Sequence, residues 1–479
     1  MNDRVLHGGP GDLEFNKIRV GVKTLEDAII NLGDIVRNGN KCMADKSMIM
    51  KALADNDLST LRQVSEYFYK TNGIYKIVCN YYAFLYRYDW YISTSLLDQS
   101  EKIITKVQKD TKRILEFLDN SHIKQLCGEI ALEVIKQGAY YGYIVPSGTQ
   151  LVLQQLPIQY CRSRYKIGTL PAIEFNMRYF DDCFKDVNYR MRVLNLFPKE
   201  FAKGYALYKQ GKLQPDFQGD SGSWYLLDPQ STIKFSMYNN QLDIPIFVNA
   251  IPAIINLDQA QDLDRRKQMQ KLLKILVQKL PRDKNGDLIF DVEEATDLHN
   301  NAVQMLKKAV GVDVLTTFAD IDSIDMSDKN TTTTSDDLSK VERSLFNALG
   351  LSQNLFNTDG NIALDKSIKQ DESAVRNLLL QFHIFFDRVV QALNTNRKKY
   401  IFHLYMLETT QFNYQDLAKM YKEQTQIGYS KMLCQIALGH SQSSILNSIE
   451  FENKVLKLHE IMIPPLMSSV MNSEQILGA

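Results

Sequence analysis

The chain has few cysteines and no excess charge of either sign. Its six cysteines, Cys42, Cys79, Cys127, Cys161, Cys183 and Cys434, are scattered, with no Cys-x-x-Cys pair and no histidines at zinc-ligand spacing. That excludes a zinc-finger reading and predicts buried thiols in a reducing compartment. Lysine plus arginine equals aspartate plus glutamate at 56 each, so the formal net charge is zero. A balanced chain argues against non-specific nucleic-acid affinity, which rests on clustered cations releasing phosphate counterions. Long apolar runs are missing too. The longest, Ile244 to Leu257, is broken by Pro245, Asn249, Pro252 and Asn256 and is too short to span a bilayer. Met1-Asn2-Asp3-Arg4 lacks the apolar core and cleavage site of a signal peptide, so none is expected. The histidines form no His-x-x-x-His pair, and no repeat of fixed period is visible.

What is present is apolar residue in quantity. At 479 residues and 44% hydrophobic content the chain can build two to four domains with sizeable cores. The most informative stretch is Leu257 to Leu349. Leu257, Ala260, Leu263, Met269, Leu272, Leu273 and Leu276 follow helical spacing, but Asp264-Arg265-Arg266-Lys267-Gln268 is polar all round. So thin an apolar stripe predicts a helix held by neighbours that include copies of itself. A compact insertion follows. Ile275 to Leu280 and Leu288 to Val292 flank Asp283-Lys284-Asn285-Gly286, which predicts a hairpin. A short helix over 295–309 comes next, then one or two strands within Val312 to Met326. Ser335-Asp336-Asp337 supplies an N-cap and acidic first turn for a helix ending at Gly350.

Elsewhere the pattern is mainly helical. Residues 1 to about 20 read as flexible, helices are expected from Leu25 to about Leu118, including one over Ser47 to Leu61, and another over Ile123 to Lys136. Eleven aromatic residues between Tyr67 and Tyr91 fit packing in a core or between subunits better than base stacking, because only Lys70, Lys76 and Arg87 are interleaved with them. Tyr140 to Val145 and Gln150 to Leu156 form a predicted hairpin, continued as one antiparallel sheet by Gln159 to Tyr165 and Ile173 to Tyr179. A long apolar helix is expected from about Asp365 to Asn394, a β-prone run over Tyr400 to Leu407, and helices beyond. The whole reads as α+β.

Candidate chemistry thins out on inspection. Gly219-Asp220-Ser221-Gly222 has no base and orienter in a matching context, Gly211-Lys212 is followed by Leu213 where a phosphate loop needs a hydroxyl, and Asp283 to Asp287 lacks the first and last calcium ligands. Asp320 and Asp322 share a face if that segment is extended and have the spacing to chelate a divalent ion, as a nuclease would require. No third acidic cluster or histidine stands near them in sequence, so a solvated acidic face is the simpler reading. No enzyme activity, cofactor or metal is expected.

The order of elements resembles one family, the portal proteins of tailed bacteriophages. Ala348-Leu349-Gly350-Leu351-Ser352-Gln353-Asn354-Leu355-Phe356 is similar to that family's helix-ending segment, with Ser352 where many relatives have proline. Leu61 to Tyr69, running into Gly73-Ile74-Tyr75 and Tyr88-Asp89-Trp90, is similar to portal N-terminal regions of phages infecting Gram-positive bacteria. The resemblance implies a flexible 1–24, a wing of helices and antiparallel sheet over 25–255, stem helices over 256–274 and 327–350, and a small α/β clip over 275–326 inserted between them. It further implies a tunnel loop over 351–364, a long wing helix over 365–399 and a helical crown over 400–479. It implies a ring, dodecameric in the virion, at one capsid vertex, assembled in the host cytoplasm and conducting double-stranded DNA without sequence specificity. The implied partners are its own copies, the terminase large subunit, major capsid and scaffold proteins and a head-completion adaptor, with no membrane. Asn357, Thr358, Asp359, Gly360 and Asn361 would face DNA, and Asp283, Lys284, Asn285, Asp320, Asp322 and Asp325 would meet a clip partner. The alternatives are another oligomeric phage connector or baseplate protein, and the metal nuclease.

Overall fold

The structure, a computed structural model, describes residues 46–97, 100–145, 147–213, 221–237, 243–272, 274–279, 293–294, 296–298, 300–301, 312–317, 334–351, 362–394 and 396–458. It is mainly helical with small antiparallel sheets. The chain divides into two compact units, one of residues 1–248 with 361–479 and one of residues 249–360.

In the larger unit the first helices are delimited by their caps. The single helix expected over Ser47 to Leu61 is two, Lys46–Ala54 and Leu58–Thr71. Asn56 takes a left-handed φ of 53°, and Asp57 then caps the second helix by accepting from the Thr60 amide at 3.2 Å. Asn72 caps Gly73–Ala83 in the same way through the Tyr75 amide at 2.9 Å. The aromatic run packs inward: Phe68, Tyr75, Tyr82, Tyr86, Tyr88 and Trp90 are all buried. Its last residues are not helical, because Trp90–Leu96 is a strand paired antiparallel with Tyr400–Met406, from Trp90 opposite Met406 to Leu96 opposite Tyr400.

Helices Glu101–Asn120 and Ile123–Gln137 follow. Gly138 ends the second at φ 87°, where a Cβ would stand 2.2 Å from the Asp243 carbonyl oxygen, so the close approach admits only glycine. The hairpin of Ala139–Val145 with Val152–Gln155 forms as expected, Val145 opposite Val152. The expected continuation does not. Thr232–Ser236 takes the hairpin's other edge, while Cys161–Arg162, Glu174–Asn176 and Trp224–Leu226 make a separate small sheet. Phe175, Tyr179, Phe180, Phe197 and Phe201 pack edge to face beneath it. The long helix runs Ile362–Leu393 and buries Leu378, Phe382 and Phe386 while leaving Ile384 68% exposed.

In the smaller unit, helix Ile251–Leu272 packs against helix Thr334–Leu349. Between them in sequence, Lys274–Lys279 pairs in parallel with Val312–Thr317. The hairpin expected for Ile275 to Leu280 is thus replaced, among the described residues, by a parallel partner further along the chain, and its expected second strand, Leu288 to Val292, lies outside them. The helix over 295–309 is described only in pieces, 293–294, 296–298 and 300–301.

Candidate basic cleft

The residues the sequence nominated for function, Asn357, Thr358, Asp359, Gly360, Asn361, Asp283, Lys284, Asn285, Asp320, Asp322 and Asp325, all lie outside the described residues. Among the described residues, no group of three or more histidine, cysteine, aspartate or glutamate side chains is placed to hold a metal ion, and no helix is long and apolar enough to cross a membrane.

The polar chemistry the larger unit does assemble falls into two kinds, and the first is buried. The C-terminal carbonyls of helix Ile123–Gln137 would be orphans, since the last turn has no intrahelical donors left for them. Helix Leu58–Thr71 supplies those donors: Ser65 Oγ reaches the Lys136 carbonyl at 2.6 Å, and Arg62 Nε the Gln137 carbonyl at 2.9 Å. Lys136 itself turns back, its Nζ 2.8 Å from Glu133 and 3.2 Å from Glu66, over the Tyr69 ring. Burial opposes the Lys136 charge, but the two carboxylates outweigh it and hold the ammonium above its ordinary range. Asp243, also buried, accepts from Tyr141 Oη at 2.8 Å and pairs with Lys234 at 2.9 Å.

Similar joints tie the C-terminal helices to the N-terminal part of the unit. Asp89 is fully buried between Lys124, Arg87 and the Thr409 hydroxyl. Arg87 donates to the Ala437 and Leu438 carbonyls, each at 3.2 Å, at the end of helix Lys431–Ala437. Gln442 bonds both backbone groups of Ile92. These groups fit structural joints, although Asp243 Oδ1 and Glu133 Oε2 are buried without a hydrogen-bond partner among the described residues.

The second kind is open. Helix Glu101–Asn120 buries Ile103, Ile114, Leu115, Phe117 and Leu118 and turns the opposite face outward. That face carries Lys102, Lys106, Lys109, Lys112 and Arg113, all exposed. Lys102, Lys106, Lys109 and Arg113 recur at intervals of four, three and four residues, which puts them in one row. The turn after the long helix lies beside this row. Arg113 Nη2 donates to the Leu393 carbonyl at 3.2 Å, and Lys106 Nζ to Asn396 Oδ1 at 3.1 Å. Beneath them Asp110 accepts from the hydroxyl of fully buried Tyr400, whose pKa is pushed up to about 12, first by burial and then by this carboxylate. The turn then adds exposed Arg397, Lys398 and Lys399.

Between helix and turn is a cleft of about 570 Å3 lined by Lys106, Lys109, Lys112 and Arg113, with Asn396 and the carboxylates of Asp110 and Glu116. Lys112 is paired with Glu450 at 3.2 Å, and Arg113 stands 3.8 Å from Asp110. Lys102, Lys106 and Lys109 have no carboxylate at ion-pair distance among the described residues. Among the described residues, no aromatic ring lines the cleft. Its chemistry is that of an anion site open along the helix. The balanced net charge hid it, because its lining cations, Lys106, Lys109, Lys112 and Arg113, sit in one helix of a chain whose charges cancel; the four-three-four spacing of residues 102 to 113 was the one local trace. Compared with known proteins, the chain matches no family model and no curated sequence.

Proposed function

We propose that the chain is a subunit of a portal-type ring, a structural protein that conducts double-stranded DNA at one capsid vertex. The observation that carries this reading is the smaller unit, two packed helices bracketing a parallel strand pair, in the order expected of stem, clip and stem. Its first helix supports it further. Ile251, Ile254 and Leu257 are buried, but from Asp258 onward the described side chains are mostly exposed and Leu263 is 54% exposed. A helix that runs out of apolar cover within its own chain is stabilised by neighbours, and in a ring those are adjacent stems.

In this reading Asn357 to Asn361 face DNA, and Asp283 to Asn285 with Asp320, Asp322 and Asp325 meet the terminase large subunit or a head-completion adaptor. Capsid and scaffold proteins surround the ring, and no catalytic step is assigned to it. Negative-stain class averages of the purified chain test the reading. Rings with a central hole support it, and a compact monomer at micromolar concentration overturns it.

A further inference from the structure

We infer that the cleft between helix Glu101–Asn120 and the 396–399 turn is a docking surface for the phosphodiester backbone of duplex DNA, taken without base readout. Three observations converge on a repeating anion. The cations lie in a row: from Lys102 to Arg113 the helix rises about 16 Å at ~1.5 Å per residue, with a positive side chain roughly every 5 Å. A compact anion such as free phosphate would use one or two of them, whereas a duplex presents a charge every ~1.7 Å of its axis and meets the whole row. The charges are also available, since Lys102, Lys106 and Lys109 have no carboxylate at ion-pair distance among the described residues.

The third observation is what the cleft lacks. Base recognition on single strands uses aromatic platforms between the cations, and none lines this one. Its lysine ammoniums and arginine, which stand beside Asn396 and the carboxylates of Asp110 and Glu116, position a backbone and carry no sequence information. Arg113 and Asn396 are fixed by their bonds to the Leu393 carbonyl, to Lys106 and to the Tyr400 hydroxyl, the last at 3.1 Å. Lys106 and Arg113 are therefore held at the floor, while Lys102 and Lys109, with no ion pair among the described residues, can follow a strand. Few contacts give weak, salt-labile binding, which suits a surface that touches DNA in passage better than one that grips it. The choice of duplex DNA over another regular polyanion rests on the ring reading; the anion surface rests on the cleft alone.

The test is fluorescence polarisation of labelled random-sequence 20-base-pair duplexes with the full chain across a salt series, for wild type, Lys106→Gln/Lys109→Gln, and the control Lys51→Gln on another helix. The double variant should lose affinity by roughly tenfold or more at low salt, equally for every sequence, and its slope of log K against log salt should fall by about 1.8. The control should match wild type. Equal affinity and slope for the double variant and wild type overturn the proposal, as does tighter binding of poly-L-glutamate than of duplex, which would assign the surface to an acidic protein. Ring formation is scored separately in stain. Rings without duplex binding remove this inference and leave the ring reading, and duplex binding without rings does the reverse.

Discussion

At Lys136 two carboxylates and an aromatic ring close around an ammonium in a residue only 6% exposed. At Lys106, on the preceding helix, an ammonium meets, among the described residues, only the side-chain carbonyl of Asn396. The first arrangement answers needs internal to the fold: the helix end takes donors from Ser65 and Arg62, and the buried Lys136 charge beside them takes two carboxylate partners. The second answers none. Lys102 with Lys106, and Lys109 with Arg113, are like-charge neighbours four residues apart, a spacing that costs a helix a few tenths of a kcal/mol per pair. The polyanion proposed above would explain why the chain keeps a row that folding does not want.

The comparison breaks most readily at its buried end. Lys136→Met leaves buried Glu66 with only the more distant Lys70, 4.0 Å away, and half-buried Glu133 without its counter-ion, and should cost about 3–5 kcal/mol, the range for orphaning a buried ionic partner. The additional change Glu66→Met should recover part of that loss, since an apolar pair of similar volume often replaces an ionic one at little cost. Denaturant midpoints measure both, and a single-variant cost under about 1 kcal/mol would show that water reaches Lys136 after all.

A smaller effect sharpens the distinction between a buried charge with a cationic partner and one without. Asp371, 2% exposed, accepts from Tyr81 Oη at 3.0 Å and Tyr82 Oη at 3.1 Å. Burial raises its pKa, the two hydroxyl donors pull it back, and nearby Glu372 adds to the rise. A carboxyl raised in the folded state contributes stability that is fully present below its unfolded value and is lost as pH rises through the folded one. Asp371→Asn should therefore gain in melting temperature relative to wild type between pH 4 and pH 7. A gap that stays constant or shrinks over that range would place Asp371 among the compensated charges.

The two ends of the comparison also differ in how far the sequence shows them. The inward faces of the helices, the turn at Gly138 and the hairpin after it follow from local spacing and one glycine, because caps and amphipathic stripes are written within a few residues of where they act. The strand Trp90–Leu96 is hidden, since its partner Tyr400–Met406 lies some three hundred residues away and its aromatic start continues a helical run. The parallel pairing of Lys274–Lys279 is hidden for the same reason: Asp283-Lys284-Asn285-Gly286 advertises a nearer partner than Val312–Thr317. The cleft is the extreme case. Its lining cations, Lys106 to Arg113, read as an ordinary solvated helix face until Asn396 is laid beside them, and a balance of 56 against 56 conceals any local excess.

The smallest expected effect is the most discriminating. Lys106→Gln/Lys109→Gln should change stability by no more than about 0.5 kcal/mol, the usual bound for exposed positions away from special features, and in the stabilising direction if repulsion along the row dominates. Screening supplies the check, because exposed charges interact over a Debye length of about 10 Å at 0.1 M salt and about 3 Å at 1 M. Wild type should gain slightly more in melting temperature than the double variant between those salt concentrations, as its row is relieved of repulsion. Loss of the Lys106 bond to Asn396 works the other way, but a single exposed hydrogen bond is worth about as little as the repulsion it offsets. A destabilisation above about 1 kcal/mol would mean that the row braces the 396–399 turn. The cleft would then belong with Lys136 as a joint of the fold, and its cations would need no partner.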